Sequence, residues 1–94
     1  MGEKMRTLEI LISGRVQGVG FRYFTVRIAR EYHILGNVRN TSDGNVRVIA
    51  AGSDENIELF LQQLRQGPSM AIVADMQITE LTAAPNFDGF RIEY

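Results

Sequence analysis

The chain contains no cysteine. Disulfide staples, a thiolate nucleophile and thiolate metal sites are therefore excluded, and stability must rest on packing. Histidine and lysine occur once each, as His33 and Lys4. No apolar run approaches the roughly 18 residues that suggest a membrane span. The opening, Met1-Gly2-Glu3-Lys4-Met5-Arg6, places no apolar stretch before a small-residue cleavage site and so does not read as a signal peptide. It also has Arg6 where a myristoylation pattern wants Ser or Thr. A cytoplasmic setting without a membrane partner is the expectation. Charge of one sign is not in excess either: ten basic side chains face eleven acidic ones, for a formal net charge of -1. Nucleic-acid binders usually carry a basic excess or stripe, so no nucleic-acid partner is expected.

What remains is a single-domain length of 94 residues, 45% of them hydrophobic, within the range of about 50 to 250 typical of one domain. Residues 1–6 read as a loose tail ahead of it, and nothing in the composition suggests an obligate dimer, so a monomer is expected. Nine of the ten cations are arginine, the side chain whose planar fork grips phosphate bidentately.

Leu8, Ile10 and Ile12 alternate across residues 7–13 and predict a strand. Gly14, Gly18 and Gly20 then mark a loop. From Phe21 the period lengthens: Phe21, Phe24, Ile28 and Tyr32 share a helical face, and the helix should end near His33. Gly36 opens a short strand to Asn40, a turn follows at Ser42-Asp43-Gly44-Asn45, and Val46, Val48 and Ala50 alternate in a third strand. Ser53 is a candidate N-cap, with Asp54 and Glu55 in the first turn of a helix striped by Ile57, Phe60, Leu61 and Leu64. Gly67-Pro68 should stop it. A fourth strand spans about 71–81, with Met76, Ile78 and Ala74 on one face. Residues 83–89 read as a loop and Phe90 to Tyr94 as a final short strand, with Tyr94 packing at the sheet edge. The order β-α-β-β-α-β, with a short extra C-terminal strand, is that of an α+β ferredoxin-like sandwich: a mainly antiparallel sheet with two helices on one face.

The segment Gly14-Arg15-Val16-Gln17-Gly18-Val19-Gly20-Phe21-Arg22 leaves a strand, passes through glycines and enters a helix. Unpaired N–H groups at a helix start, with those of a Gly-rich turn, form a concave nest for an anion. Arg22 adds a charged fork at the same point. The spacing fits neither a Walker A loop nor a dinucleotide fingerprint, and on these grounds alone the glycines equally suit a tight strand-to-helix connection.

That segment matches the Gly-x-Val-Gln-Gly-Val-x-Phe-Arg signature of the acylphosphatase family, which the chain resembles. A second family run appears as Gly36-Asn37-Val38-Arg39-Asn40-Thr41-Ser42-Asp43-Gly44-Asn45-Val46. Ala50-Ala51-Gly52, Gly67-Pro68-Ser69 and the terminal aromatic are also familial, so the resemblance covers almost the whole chain. Two departures lie beside the motifs: Asn37 stands where an aromatic is common, and His33-Ile34-Leu35 replaces a commoner Gly-Leu approach to the strand.

The resemblance implies an enzyme that hydrolyses the carboxyl–phosphate anhydride of acyl phosphates. It implies Arg22 as the phosphate-binding arginine and Asn40 as the catalytic asparagine. The N–H groups of Gln17, Gly18, Val19, Gly20 and Phe21 are the candidate cradle. An amide is no base near neutral pH, but it orients a water for attack on phosphorus; Asn40 is equally at home as a strand-end turn residue. With no general base evident, a rate nearly independent of pH around neutrality is expected, whereas a midpoint near 6.5 would point to His33. No cofactor or metal is implied, since arginine and backbone donors supply the positive potential. Arg15 and Arg39 flank the motifs without an assigned role. The segment Gln17 to Phe24 echoes an RNA-binding octapeptide, but that belongs on a central strand and not on a loop and helix start. One alternative stays open, a non-enzymatic phosphate-binding regulatory module. The same signature also resembles the amino-terminal domain of a hydrogenase-maturation carbamoyltransferase, but that protein is far longer and carries zinc-binding cysteines downstream, so a 94-residue chain without cysteine fits the standalone enzyme better.

Overall fold

The computed structural model describes residues 4–82 and 86–94. Residues 1–3 of the expected tail and 83–85 of the expected loop lie outside the described residues. The elements run β1 (Met5–Arg15), α1 (Phe21–Glu31), β2 (Leu35–Asn40), β3 (Val46–Ser53), α2 (Asp54–Gln66), β4 (Ile72–Glu80) and β5 (Phe90–Ile92). The five strands form one sheet in the order β4-β1-β3-β2-β5. Pairing is antiparallel except between β2 and β5, which run parallel. This is the ferredoxin-like plan with the short extra strand at its edge.

Alternation drives the sheet into one core. Leu8, Ile10, Ile12, Val38, Val46 and Val48 are each fully shielded from solvent, and they share a cluster with Phe21, Ile28, Ile57, Phe60 and Leu64 of the helices. Each such side chain contributes about 1.5 to 3 kcal/mol on burial. Among the polar residues, Thr25 is also fully buried on α1. Its hydroxyl donates to the Phe21 carbonyl at 2.8 Å, which satisfies it locally.

Three expectations are corrected. β1 starts at Met5, not Thr7, because Met5 and Arg6 pair with Ser53 and Gly52 of β3; that part of the presumed tail is strand. In β4 the inward phase breaks: Ser13 pairs with Asp75 but Gly14 with Val73, so Ala74 is an extra residue in a bulge. Met76 and Ile78 keep their expected face opposite Ile12 and Ile10, while Val73 packs on the core in place of Ala74. Tyr94 is 93% exposed instead of packing at the sheet edge.

Glycine at position 36 is required by close approach. With φ of 142° its Cα faces β3, and a Cβ there would sit 1.8 Å from the Ile49 carbonyl oxygen. That proximity lets β2 lie flat against β3 on the way to Asn40.

Candidate active site

Register places the two motifs together. β1 leads into the Gly-rich loop at its C-terminal end, and Ile12 there pairs with Val46, the first residue of β3. Val46 also pairs with Asn40, the last residue of β2. The β1–α1 loop and the β2–β3 turn therefore hang from the same end of the sheet. β5 runs parallel to β2, with Ile92 beside Val38, so the C-terminal Tyr94 reaches that end as well.

Within the loop, Gly18 and Gly20 have φ of 73° and 78°. A Cβ at either would meet nothing within 4 Å, so glycine is needed for the left-handed backbone and not for space. Gly20 is the N-cap of α1, at φ 78° and ψ 18°, and makes no side-chain cap bond. Within the helix, the first backbone bond comes from Phe24 N–H to the Gly20 carbonyl at 3.0 Å. Among the described residues, no hydrogen bond partners the N–H groups of Gln17 through Phe21.

The second helix shows what closing such an end takes. Ser53 caps α2 by accepting from Asn56 N–H at 3.2 Å, and Asp54 and Glu55 sit in its first turn. The first turn of α1 has no acidic residue. One chain thus holds a neutralised helix start and a bare one. The bare one keeps its partial positive charge, which suits an anion.

Arg22 is half-buried in the first turn of α1. Among the described residues no carboxylate forms a salt bridge with it. Its guanidinium lies 5.5 Å from the centre of the Tyr94 ring, a stacking contact that leaves the N–H fork available. Asn40 lies on the same strand face as the fully buried Val38, which is the helix side. Its Oδ1 is buried and has no hydrogen-bond partner among the described residues. A buried amide oxygen without a protein donor is free to accept from water or a ligand.

The structure thus brings Arg22, Asn40 and the N–H groups of the 17–21 loop to one end of the sheet. The expectation for Gln17 concerned its N–H alone; its side chain turns to the β2–β3 turn. Arg39 is exposed, in register with Arg47 on the face away from Asn40. Arg15 is exposed at the end of β1. His33 stands at the far end of α1, roughly 16 Å along the axis from Arg22 at 1.5 Å per residue. A concavity of about 440 Å³ lies at that far end, lined by Arg30, His33, Ile34, Leu35, Gly89, Phe90 and Arg91; it is not where the free donors are. A phosphate needs a ring of N–H groups and a cation, not a deep cavity. Among the described residues no three His, Asp or Glu side chains are clustered for a metal, and no helix is long and apolar enough to cross a membrane.

An open-faced α+β sandwich whose first helix starts, uncapped by any side chain, from a glycine-rich loop has the features of one class: a small phosphate-handling domain. The acylphosphatase family model matches residues 8–92. An acylphosphatase from Oceanobacillus iheyensis is 43% identical, over 96% of this chain and 100% of its own length. The crystal structure of the Bacillus subtilis acylphosphatase superposes with a TM-score of 0.92 at 33% identity, covering 97% of this chain and 100% of that one. Full-length HypF, solved in a phosphate- and nucleotide-bound form, matches with a TM-score of 0.91 at 29% identity; the likeness covers 100% of this chain but 12% of that one. The chain belongs to the acylphosphatase family.

Proposed function

We propose that Arg22 and the N–H groups of Gln17, Gly18, Val19, Gly20 and Phe21 hold the phosphate of an acyl phosphate while Asn40 orients the attacking water. The reaction is the family's: water cleaves the carboxyl–phosphate anhydride to a carboxylate and inorganic phosphate. The observation that carries the assignment of roles is the buried, unpartnered Oδ1 of Asn40 beside a helix start left without a cap or a carboxylate.

Cradle and guanidinium together neutralise the phosphoryl oxygens before the reaction starts, so charge developing on them needs no reorganisation. Asn40 Oδ1 accepts from one hydrogen of the water and directs its lone pair at phosphorus. The bond between phosphorus and the bridging oxygen breaks, and its electron pair leaves with the carboxylate, a group stable without a proton. In a loose transition state the protein has little covalent work to do. No titrating base is needed, and the only histidine is at the other end of α1. A rate flat around neutrality follows. A monomer acting in the cytoplasm accords with a site assembled from one chain and with the lack of cysteine.

The test is hydrolysis of a simple aryl acyl phosphate in chelator by wild type, Arg22→Ala and Asn40→Ala. Asn40→Ala should lose about 10² to 10³ in kcat with inorganic phosphate still bound. Arg22→Ala should lose a similar factor and bind phosphate poorly as well. Wild type that binds phosphate without turnover would make the chain a phosphate-binding module instead.

A further inference from the structure

Gln17 sits in the phosphate loop, yet its side chain leaves the loop. Nε2 donates to the Thr41 carbonyl at 2.9 Å and to the Asn45 carbonyl at 2.8 Å. An amide nitrogen has two hydrogens, and both are used. The two acceptors are the ends of the β2–β3 turn, which is otherwise closed on itself. Thr41 N–H donates to the Asn45 carbonyl at 2.9 Å, and Gly44 N–H to the Thr41 carbonyl at 3.3 Å. Asn45 N–H donates to the Thr41 hydroxyl at 3.1 Å. Thr41 directly follows Asn40.

We infer that Gln17 is a positioning residue: its amide ties the phosphate cradle to the turn that carries Asn40 and so fixes the distance between bound phosphorus and attacking water. This rests on the roles proposed above. No other side-chain hydrogen bond joins the loop to the turn among the described residues. The alternative route from loop to turn runs through β1 and β3. That frame sets the sheet but makes no side-chain contact between loop and turn. A neutral double donor suits the task, because a lysine or arginine there would add a cation beside the cradle and compete for the phosphate. The effect should fall on the chemical step and not on phosphate affinity, since the cradle N–H groups and Arg22 do not depend on the amide.

The experiment compares wild type, Gln17→Met, Gln17→Asn, Asn40→Ala and the double variant Gln17→Met/Asn40→Ala, by kcat, KM and inhibition by inorganic phosphate. Gln17→Met keeps the length and removes both donors; it should lower kcat roughly tenfold to a hundredfold, as misplacement by about 1 Å does. Its phosphate inhibition constant should stay within about threefold of wild type. Gln17→Asn, one methylene short of two carbonyls, should fall between. In the Asn40→Ala background Gln17→Met should have almost no further effect on kcat, because a residue acting through Asn40 has nothing left to position. An unchanged kcat in Gln17→Met overturns the inference, as does a full additional loss in the double variant. If Asn40→Ala alone is fully active, it is the assignment of Asn40 that fails, whatever Gln17 does.

Discussion

His33 takes up φ of 56°, a left-handed conformation that costs an L-residue roughly 1 to 2 kcal/mol. The position is the one that helix C-termini usually give to glycine. Here Ile34 N–H donates to the Ala29 carbonyl at 2.8 Å and His33 N–H to the Arg30 carbonyl at 3.4 Å, so the helix end is stapled in the usual pattern with the wrong residue at its centre. Replacing His33 by Gly should raise unfolding free energy by about 1 kcal/mol, read by urea denaturation, with acyl phosphate turnover unchanged. A loss of activity would tie this histidine to the reaction. The departure of His33-Ile34-Leu35 from a Gly-Leu approach was visible in the sequence, and its strain is now explicit. The candidate roles of Arg22 and Asn40 were legible because contiguous motifs carry them. The amide of Gln17 was not, since its two acceptors lie 24 and 28 residues away and leave no local mark. The stacking of Tyr94 on Arg22 was hidden for the same reason.

At the scale of elements, helices and strands follow from period, and the second helix follows almost to the residue because its cap, its acidic first turn and its Gly-Pro stop are all local signals. β4 was harder. Its alternation is interrupted by the bulged Ala74, and a bulge is decided by the partner strand, not by the strand itself. The β2–β3 turn has its own acid sensitivity. The Thr41 hydroxyl donates to the Asp43 carboxylate, and this bond is the main reason that the carboxyl titrates below its ordinary 3.8. A depressed carboxyl stabilises the fold above its unfolded value and loses that contribution as the pH drops through its folded one. The stability gap between wild type and Asp43→Asn should therefore be full above about pH 5 and close progressively on further acidification. Urea titrations at several pH values would read it, and a constant gap would remove Asp43 from the turn's stabilisation.

For the whole molecule, strand order was legible only through the ferredoxin-like plan, because which strands become neighbours is a matter of chain-distant pairing. The ion network at the edge was likewise unreadable. Arg6 of β1 donates to Asp54 at 2.9 Å and Glu58 at 2.8 Å, both of α2, and through Nε to Glu80 of β4 at 2.9 Å. Its side chain is 19% exposed, while the carboxylates are mostly in solvent, which keeps the contribution small. Arg6→Met would leave three carboxylates facing one another. It should destabilise by about 1 to 2 kcal/mol at low salt, with much of the loss recovered in molar salt, where screening removes the repulsion. A loss unaffected by salt would mean that packing of the arginine stem, not charge, matters there.

The cradle and Asn40 hang from the ends of β1 and of the β2–β3 pair, and they meet because β3 lies between β1 and β2. On the proposed roles, half a molecule holds half an apparatus: the loop without its asparagine, or the asparagine without its loop. The contact that unites them joins distant stretches of chain, and pairing of that kind slows folding. On the roles proposed above, turnover needs β1, β3 and β2 paired side by side, so activity reads out the wholeness of the sheet.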